Sequence, residues 1–201
     1  MTDVTIIIPA AGASRRMLGR DKLLEHVDGM PLLRVTTDRA LAFTDDVIVT
    51  LPELDGARAQ ALKALPITQV KVANPQEGMA ASLRAAAPHV SGTSKGVMVL
   101  PADMPDLSCT DLAKVMHVFG EAQCDVIVQG TSETDIPGHP VVFPMDLVSE
   151  FDGLSGDTGA RSIVQANKHR LRHVALPGNN AITDLDTPEA WEAWRKANPN
   201  R

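Results

Sequence analysis

The chain has 201 residues, of which 44% are hydrophobic, so it is long enough to bury the core of one domain. Its 19 Lys and Arg residues against 25 Asp and Glu residues give a formal net charge of −6. This balance excludes the overall positive field that nucleic-acid-binding and membrane-surface proteins use. We therefore expect small-molecule partners, no nucleic acid and no membrane.

The predicted elements alternate between strands and helices along the chain. In chain order, the first half predicts a strand at 4–8, a helix at 31–43, a strand at 47–50, a helix at 54–65 and a strand at 69–72. The second half predicts a helix at 79–87, a strand at 97–100, a helix at 110–119, strands at 126–128 and 171–176, and a helix at 188–197. Thr187 as N-cap and Pro188 at the first position mark the start of the last helix.

This alternation indicates an α/β fold with a mostly parallel central sheet. The runs Ile6-Ile7-Ile8 and Val97-Met98-Val99-Leu100 are apolar at every position. Such strands are buried on both faces, which predicts a three-layer arrangement. Ligands of these folds bind beyond the carboxyl ends of the strands, so we examine the segments that follow them.

Two further features of the sequence bear on the cellular compartment of the protein. Cys109 and Cys124 form no CxxC pair, which argues against a zinc ribbon or a disulfide framework and fits a reducing environment. The N-terminus carries Asp3 where a signal peptide has basic residues, and its apolar run is far shorter than a membrane span. We expect residues 1–201 to form one cytoplasmic domain.

The loop after the first strand has the composition of a polyphosphate site. Residues 9–22 read PAAGASRRMLGRDK, in which small residues let backbone amides approach a ligand. Four cations follow within eight residues, namely Arg15, Arg16, Arg20 and Lys22. The spacing of Gly12 and Gly19 fits neither GxxxxGK[ST] nor GxGxxG, which disfavours a P-loop kinase or a simple Rossmann dehydrogenase. The alternative is that the four cations form a solvated surface run.

Carboxylates follow at two other places. Asp103 lies between Pro101 and Pro105 directly after the strand at 97–100, which makes it a candidate Mg²⁺ ligand. Asp184 and Asp186 precede the last helix. For each of these aspartates the alternative is a turn or helix cap.

Five motifs in order resemble the MobA-like NTP transferases, and most closely the molybdenum cofactor cytidylyltransferases (MocA-type). They are AAGxSxRM with a following GxxK, PADMP, GHPVVF, GDTGAR and DLDTPEAW. The resemblance covers nearly the whole chain and implies a Rossmann-like nucleotide-diphospho-sugar transferase fold. It implies a nucleotide-binding set of Ala10, Ala11, Gly12, Ser14, Arg16, Lys22, Gly78, Ser82, Pro101 and Asp103.

Within that family, an Ala-Ala-Gly start is typical of members that transfer a cytidylyl group, and Ala-Gly-Gly of those that transfer a guanylyl group. Ala11 therefore favours CTP. The chain departs from the family pattern at Ala80, where GMSxSL has serine, and at Leu18, which lengthens RMG and shifts the register before Lys22.

The acceptor side is assigned to the segments Gly138-His139-Pro140 and 156–161. The glycines expose backbone amides, and an arginine fork matches a phosphate. The resemblance implies that these segments face molybdopterin, with the binding residues His139, Asp157, Gly159 and Arg161. From the residues alone, the alternatives are that His139 is a turn residue and that Asp157 is a helix cap.

These assignments predict a Mg²⁺-dependent enzyme that transfers CMP from CTP to molybdopterin and releases pyrophosphate. Its catalytic residues would be Arg16, Lys22 and Asp103, with Asp186 or Asp184 as second metal ligand. Three alternatives stay open: nucleotidyl transfer to another acceptor such as a sugar phosphate, an NAD(P)H-dependent oxidoreductase of the nicotine-blue type, and a binding module without chemistry. The sequence leaves open whether a molybdenum hydroxylase or its insertion chaperone binds this protein.

Overall fold

The computed structural model describes residues 3–156 and 159–201. Its strands are β1 (Val4–Pro9), β2 (His26–Val27), β3 (Met30–Pro31), β4 (Val47–Leu51), β5 (Thr68–Lys71), β6 (Gly96–Val99), β7 (Ile127–Thr131), β8 (Pro137–Pro144) and β9 (Leu171–Ala175). Its α-helices are α1 (Leu32–Leu41), α2 (Ala57–Ala61), α3 (Met79–Ala86), α4 (Cys109–Glu121), α5 (Arg161–Ala166) and α6 (Pro188–Ala197). None of the helices in these residues is long and apolar enough to cross a membrane.

The central sheet is mostly parallel. In the described part of the chain it has seven strands in the order β5-β4-β1-β6-β8-β7-β9. β1 pairs in parallel with β4 and β6, β5 in parallel with β4, and β9 in parallel with β7. β8 runs antiparallel between β6 and β7. The predicted α/β fold with a mostly parallel sheet is therefore confirmed.

Helices cover both faces of this sheet. Successive side chains of a strand point to opposite faces, so neighbouring residues of β1 belong to different cores. Ile6 and Ile8 of β1 belong to a buried core that includes residues of α1, α2 and α4. Ile7 belongs to a second core with residues of α3, α5 and the 3₁₀ segment Met145–Gly153. The three-layer arrangement follows from these two cores.

The C-terminal helix packs against the loop that follows β1. Its start is as predicted: Pro188 is the first residue of α6, and the Thr187 side chain accepts a hydrogen bond from the Ala190 amide at 3.2 Å. Trp191 and Trp194 are buried in a small cluster that also contains Met17. This contact fixes the middle of the loop that carries the predicted cations.

Several features differ from the prediction, among them α5, which the predicted elements did not include. Strand β8 was not predicted, because prolines at 137, 140 and 144 are unfavourable inside a sheet and read as a turn. The small hairpin of β2 and β3 was also missed. The helix predicted at 54–65 covers only Ala57–Ala61, since Gly56 is its N-cap and Ala64 has a φ of 66°, outside the helical region.

A glycine pair tests how closely β8 packs. A β-carbon at Gly138 would lie 1.9 Å from the carbonyl oxygen of Ala181, which also accepts a hydrogen bond from the His139 amide at 2.8 Å. We expect Gly138→Ala to lower the free energy of unfolding by about 1–3 kcal/mol through overpacking. Gly120→Ala, on an exposed turn of α4 with no atom within 4 Å, should raise it by up to about 1 kcal/mol. Urea denaturation measures both, and a Gly138→Ala protein as stable as the wild type would contradict this packing.

Candidate active site

A cleft of about 590 Å³ lies at the carboxyl ends of β1 and β6. In the central sheet, β4 lies on one side of β1 and β6 lies on the other. The cleft therefore lies where the strand order reverses. Ile7 is the cross-strand partner of Val99, which places the loops after both strands side by side. The residues that the sequence assigns to the nucleotide all line this cleft: Ala10, Ala11, Gly12, Ser14, Arg16, Lys22, Gly78, Ser82, Pro101 and Asp103.

The loop after β1 accommodates the extra residue without moving Lys22 out of the cleft. After a short 3₁₀ turn, Arg15–Met17, Leu18 adopts a φ of 52° and is 82% exposed. Arg15, Arg16 and Lys22 line the cleft, whereas Arg20 forms an ion pair with Glu25 at 3.3 Å. Three of the four cations are therefore directed at one cavity.

Lys22 lies between two carboxylates. Its Nζ is 2.5 Å from Oδ2 of Asp103 and 2.5 Å from Oδ1 of Asp186, and Arg16 also pairs with Asp186. The Leu185 amide donates a hydrogen bond to the carbonyl oxygen of Asp103 at 3.1 Å, which brings the segment before α6 to the end of β6. Burial lowers the pKa of Lys22, but the charges and hydrogen bonds of the two carboxylates outweigh it, so that pKa lies above its ordinary value.

The pKa values of the two aspartates before α6 are shifted in opposite directions. Burial, a hydrogen bond to Asp186 and the negative charges of Asp186 and Asp103 raise the pKa of Asp184. Burial also acts to raise the pKa of Asp186, but the hydrogen bonds from Lys22 and Asp184 and the charges of Lys22 and Arg16 lower it on balance. Asp186 is therefore the more acidic of the pair.

The carboxylates suit Mg²⁺ as it is usually held in nucleotide sites. Mg²⁺ there takes one or two carboxylates, and phosphate oxygens and water complete its coordination. Asp103 and Asp186 both reach one point, the position of the Lys22 ammonium. Within residues 3–156 and 159–201, no group of three or more His, Cys, Asp or Glu side chains forms a metal site by itself. The donor set fits a metal that binds together with a polyphosphate.

The start of α3 forms the opposite wall. Gly78 has a φ of 77° and a ψ of −154°, a conformation that needs glycine, and its amide precedes the first turn of the helix. Ser82 lines the cleft, whereas Ala80 is fully buried in the core beneath it. The missing serine hydroxyl at position 80 therefore does not remove a group from the cleft wall.

A second cavity of about 970 Å³ adjoins the first, and Met79 lines both. Its floor is a row of cross-strand neighbours in the sheet, in which Val99 pairs with Val141, Val141 with Gln129, and Gln129 with His173. Three strand spacings make this row about 14 Å long. Residues of α5 and the turn after it, among them Arg161 and Lys168, form the opposite wall. We call this cavity the second groove.

The predicted acceptor residues are only partly gathered there. His139 and Arg161 line the second groove. Gly159 is not among the described residues that line this groove, but it lies close to Met79, since a β-carbon on it would be 2.8 Å from the Met79 sulfur. Asp157 lies outside the described residues. The sequence did not single out Gln129, Lys168 or His173 for this groove.

His139 lines the second groove and lies near enough to Asp103 of the first cleft to be affected by its charge. Burial lowers its pKa, and the charge of Asp103 and the backbone of Val99 oppose that shift without reversing it. Its Nδ1 is buried and has no hydrogen-bond partner in the described part of the chain. His139 is therefore neutral near pH 7 and retains an unused polar atom.

A switch-point cleft with cations on one wall and two carboxylates on another is the arrangement of a Rossmann-like nucleotidyltransferase. The MobA-like NTP transferase domain matches residues 6–173, so the chain belongs to the MobA-like NTP transferase family of nucleotidyltransferases.

Individual relatives agree with this family. A molybdenum cofactor guanylyltransferase from Cereibacter sphaeroides is 26% identical over 185 residues, which are 91% of each chain. The bifunctional protein GlmU from Sorangium cellulosum is 31% identical over 143 residues, and the match spans 68% of this chain but only 30% of that longer protein. Rv0371c from Mycobacterium tuberculosis H37Rv superposes with a TM-score of 0.79 at 28% identity, over 97% of this chain and 98% of that one. Rv0371c has also been solved in complex with manganese.

The pairing of Lys22 predicts a pH-dependent stability difference. Lys22→Met should lower the free energy of unfolding at pH 7 by about 2 kcal/mol, because partly buried Asp103 loses its ion-pair partner and Asp186 is left with Arg16. The raised pKa of Lys22 means that its contribution is complete below pH 10.5 and is lost as the pH rises through the folded-state pKa. The lowered pKa of Asp186 means that its contribution is present above pH 3.8 and is lost as the pH falls through the folded-state value.

The difference between wild type and Lys22→Met should therefore be largest at intermediate pH and shrink at both extremes. Urea denaturation across that range measures it. Lys114→Met, a change at an exposed lysine of α4, should alter stability little at any pH. A difference that is independent of pH would contradict the ion-pair assignment.

Proposed function

We propose that this protein transfers CMP from CTP to a phosphorylated pterin-type acceptor, molybdopterin, with Mg²⁺ as cofactor and pyrophosphate as leaving group. The first cleft is the site for the triphosphate, and the second groove is the site for the acceptor. The proposal extends to this chain the molybdenum cofactor chemistry that is named for the Cereibacter sphaeroides relative.

The observation that carries the proposal is the junction of the two cavities. Met79 lines both, and His139 of the second groove is close enough to Asp103 of the first for that carboxylate to affect its pKa. A group bound in the groove can therefore meet a phosphate bound in the cleft. The groove floor is apolar at Val99 and Val141 and polar at Gln129, which suits a flat heterocycle with hydrogen-bonding edges.

The reaction needs positioning and charge more than covalent catalysis. An acceptor phosphate oxygen attacks the α-phosphorus of the nucleotide, a new phosphorus–oxygen bond forms, and the bond to the β-phosphate oxygen breaks. Arg16 and Lys22 hold the leaving phosphates and stabilise the charge that develops on them. Asp103 and Asp186 would hold Mg²⁺, which would supply further neutralisation of the negative charge on the phosphate oxygens. Neutral His139 offers a hydrogen bond without adding a charge at the junction.

CTP is favoured over GTP at Ala11. Ala11 lines the cleft, is 3% exposed and belongs to a small buried cluster with Val72 and Ala81. The preference for CTP rests on the resemblance of the Ala-Ala-Gly start to that of family members that transfer a cytidylyl group. Guanylyl transfer is the second candidate, because the Cereibacter sphaeroides relative is named a guanylyltransferase.

Pyrophosphate release tests the proposal directly. Purified protein with Mg²⁺ and molybdopterin is supplied with CTP or GTP in turn. We expect release that requires the acceptor and is faster with CTP. Faster release with GTP would replace the first candidate by the second, and the absence of acceptor-dependent release with both nucleotides would contradict both candidates.

Asp103→Asn is the matched variant for this assay. It should fold normally and lower the rate by about 100-fold or more, because it removes a negative ligand at the point where the phosphates meet the cation. The control is Asp45→Asn, a change at an exposed aspartate before β4, at the opposite edge of the sheet. Near-normal turnover of Asp103→Asn would remove this residue from the mechanism.

A further inference from the structure

Arg58 is a buried cation that is outside the cleft but bonded to its main loop. It lies in the short helix α2, and its side chain is only 8% exposed. Its Nε and Nη2 donate to the two carboxylate oxygens of Asp21 at 2.7 and 2.9 Å. Nη1 donates to the carbonyl oxygen of Ala10 at 2.6 Å, and Nη2 also donates to Oγ of Ser14 at 3.1 Å. One guanidinium therefore binds the beginning, middle and end of the loop.

The residues that Arg58 holds are the ones that shape the cleft. Ala10 and Ser14 line it, and Asp21 precedes Lys22, which also lines it. Ser14 has a φ of 48°, a conformation that costs energy for a residue with a β-carbon. Its hydroxyl is held by contacts to Asp21 and to the Lys22 amide at 3.2 and 3.4 Å.

The same carboxylate sets the direction of the chain after the loop. Asp21 accepts a hydrogen bond from the Leu23 amide at 3.1 Å and is the N-cap of the 3₁₀ helix Lys22–Leu24. This cap fixes the backbone from which the Lys22 side chain extends to Asp103. Neither Arg58 nor Asp21 lines the cleft in the described part of the chain, so both act from behind the loop.

We infer that Arg58 is a positioning residue for the nucleoside triphosphate, which it serves by holding residues 10–22 in the binding conformation. This inference rests on the proposed nucleotide site. A guanidinium is suited to the task because its planar fork binds a carboxylate with two bonds and leaves a third nitrogen for a carbonyl. A lysine would keep the positive charge but contact fewer of these groups.

Arg34 provides a matched control. Like Arg58, it donates to a carboxylate, that of Asp38 at 3.0 Å, and to a backbone carbonyl, that of Lys63 at 3.4 Å. It lies on α1 with its side chain 31% exposed, and its hydrogen bonds go to Asp38 and Lys63 and not to the loop after β1. Its replacement therefore removes comparable bonds at a site that should not affect the nucleotide.

The experiment measures CTP binding with Mg²⁺ by calorimetry for wild type, Arg58→Met, Arg58→Lys and Arg34→Met, well below each melting temperature. We expect Arg58→Met to raise the Kd for CTP by about ten-fold or more, Arg58→Lys to raise it less, and Arg34→Met to leave it unchanged. With CTP at saturation, the KM for the acceptor should be the same in all four proteins. Asp21→Asn should raise the Kd for CTP less in the Arg58→Met protein than in the wild type, since the two residues act together.

Wild-type CTP affinity in Arg58→Lys and Arg58→Met would overturn the inference, as would equal weakening by Arg34→Met. Should Arg58→Met fail to fold, Arg58→Lys decides alone, because it keeps the charge and lacks the fork. A wild-type protein that binds no nucleoside triphosphate would instead overturn the proposed function.

Discussion

The parallel pairing of β1 with β6 determines where the functional groups lie. Because Ile7 is opposite Val99, both strands end at the same edge, and the loops that follow them meet there. One loop carries cations and the other carries Asp103. β1 is buried on both faces, so a shift in this register would move its apolar side chains out of two cores at once. The stability of the core and the geometry of the cleft depend on the same pairing.

Charge inside the cleft is balanced by pairs that join distant parts of the sequence. Lys22 joins the loop after β1 to Asp103 after β6 and to Asp186 before α6. Arg58 joins the same loop to α2 from behind. The ion pairs of Lys22 and Arg58 are partly buried, and removal of one partner of such a pair costs more free energy than the pair itself contributes. The loop is therefore held from two sides, and the polyphosphate of the proposed function would bind to it with little ordering cost.

Much of this arrangement is local in sequence and could be predicted. The small and cationic residues of the loop directly follow β1 in the sequence, and Asp103 closely follows β6. The N-cap of α6 was predicted for the same reason. Other features depend on contacts between distant segments and have no local signal. Arg58 lies among alanines in a helical pattern, and only the fold shows that Asp21 and Ala10 are its partners. Strand β8 was not predicted, because prolines are more typical of turns than of strands. Since β8 helps to form the second groove, the sequence predicted individual residues of this groove but not the groove itself.

The measurement that tests the central claim most directly is a calorimetric comparison of CTP, GTP, ATP, UTP and NADPH, each with and without Mg²⁺. A site in which Asp103 and Asp186 hold the metal and the loop cations hold the phosphates must bind metal and triphosphate with positive coupling. We predict that CTP binds in preference to the other nucleotides and that Mg²⁺ strengthens its binding. Binding of NADPH alone, or triphosphate binding that is indifferent to Mg²⁺, would contradict the account.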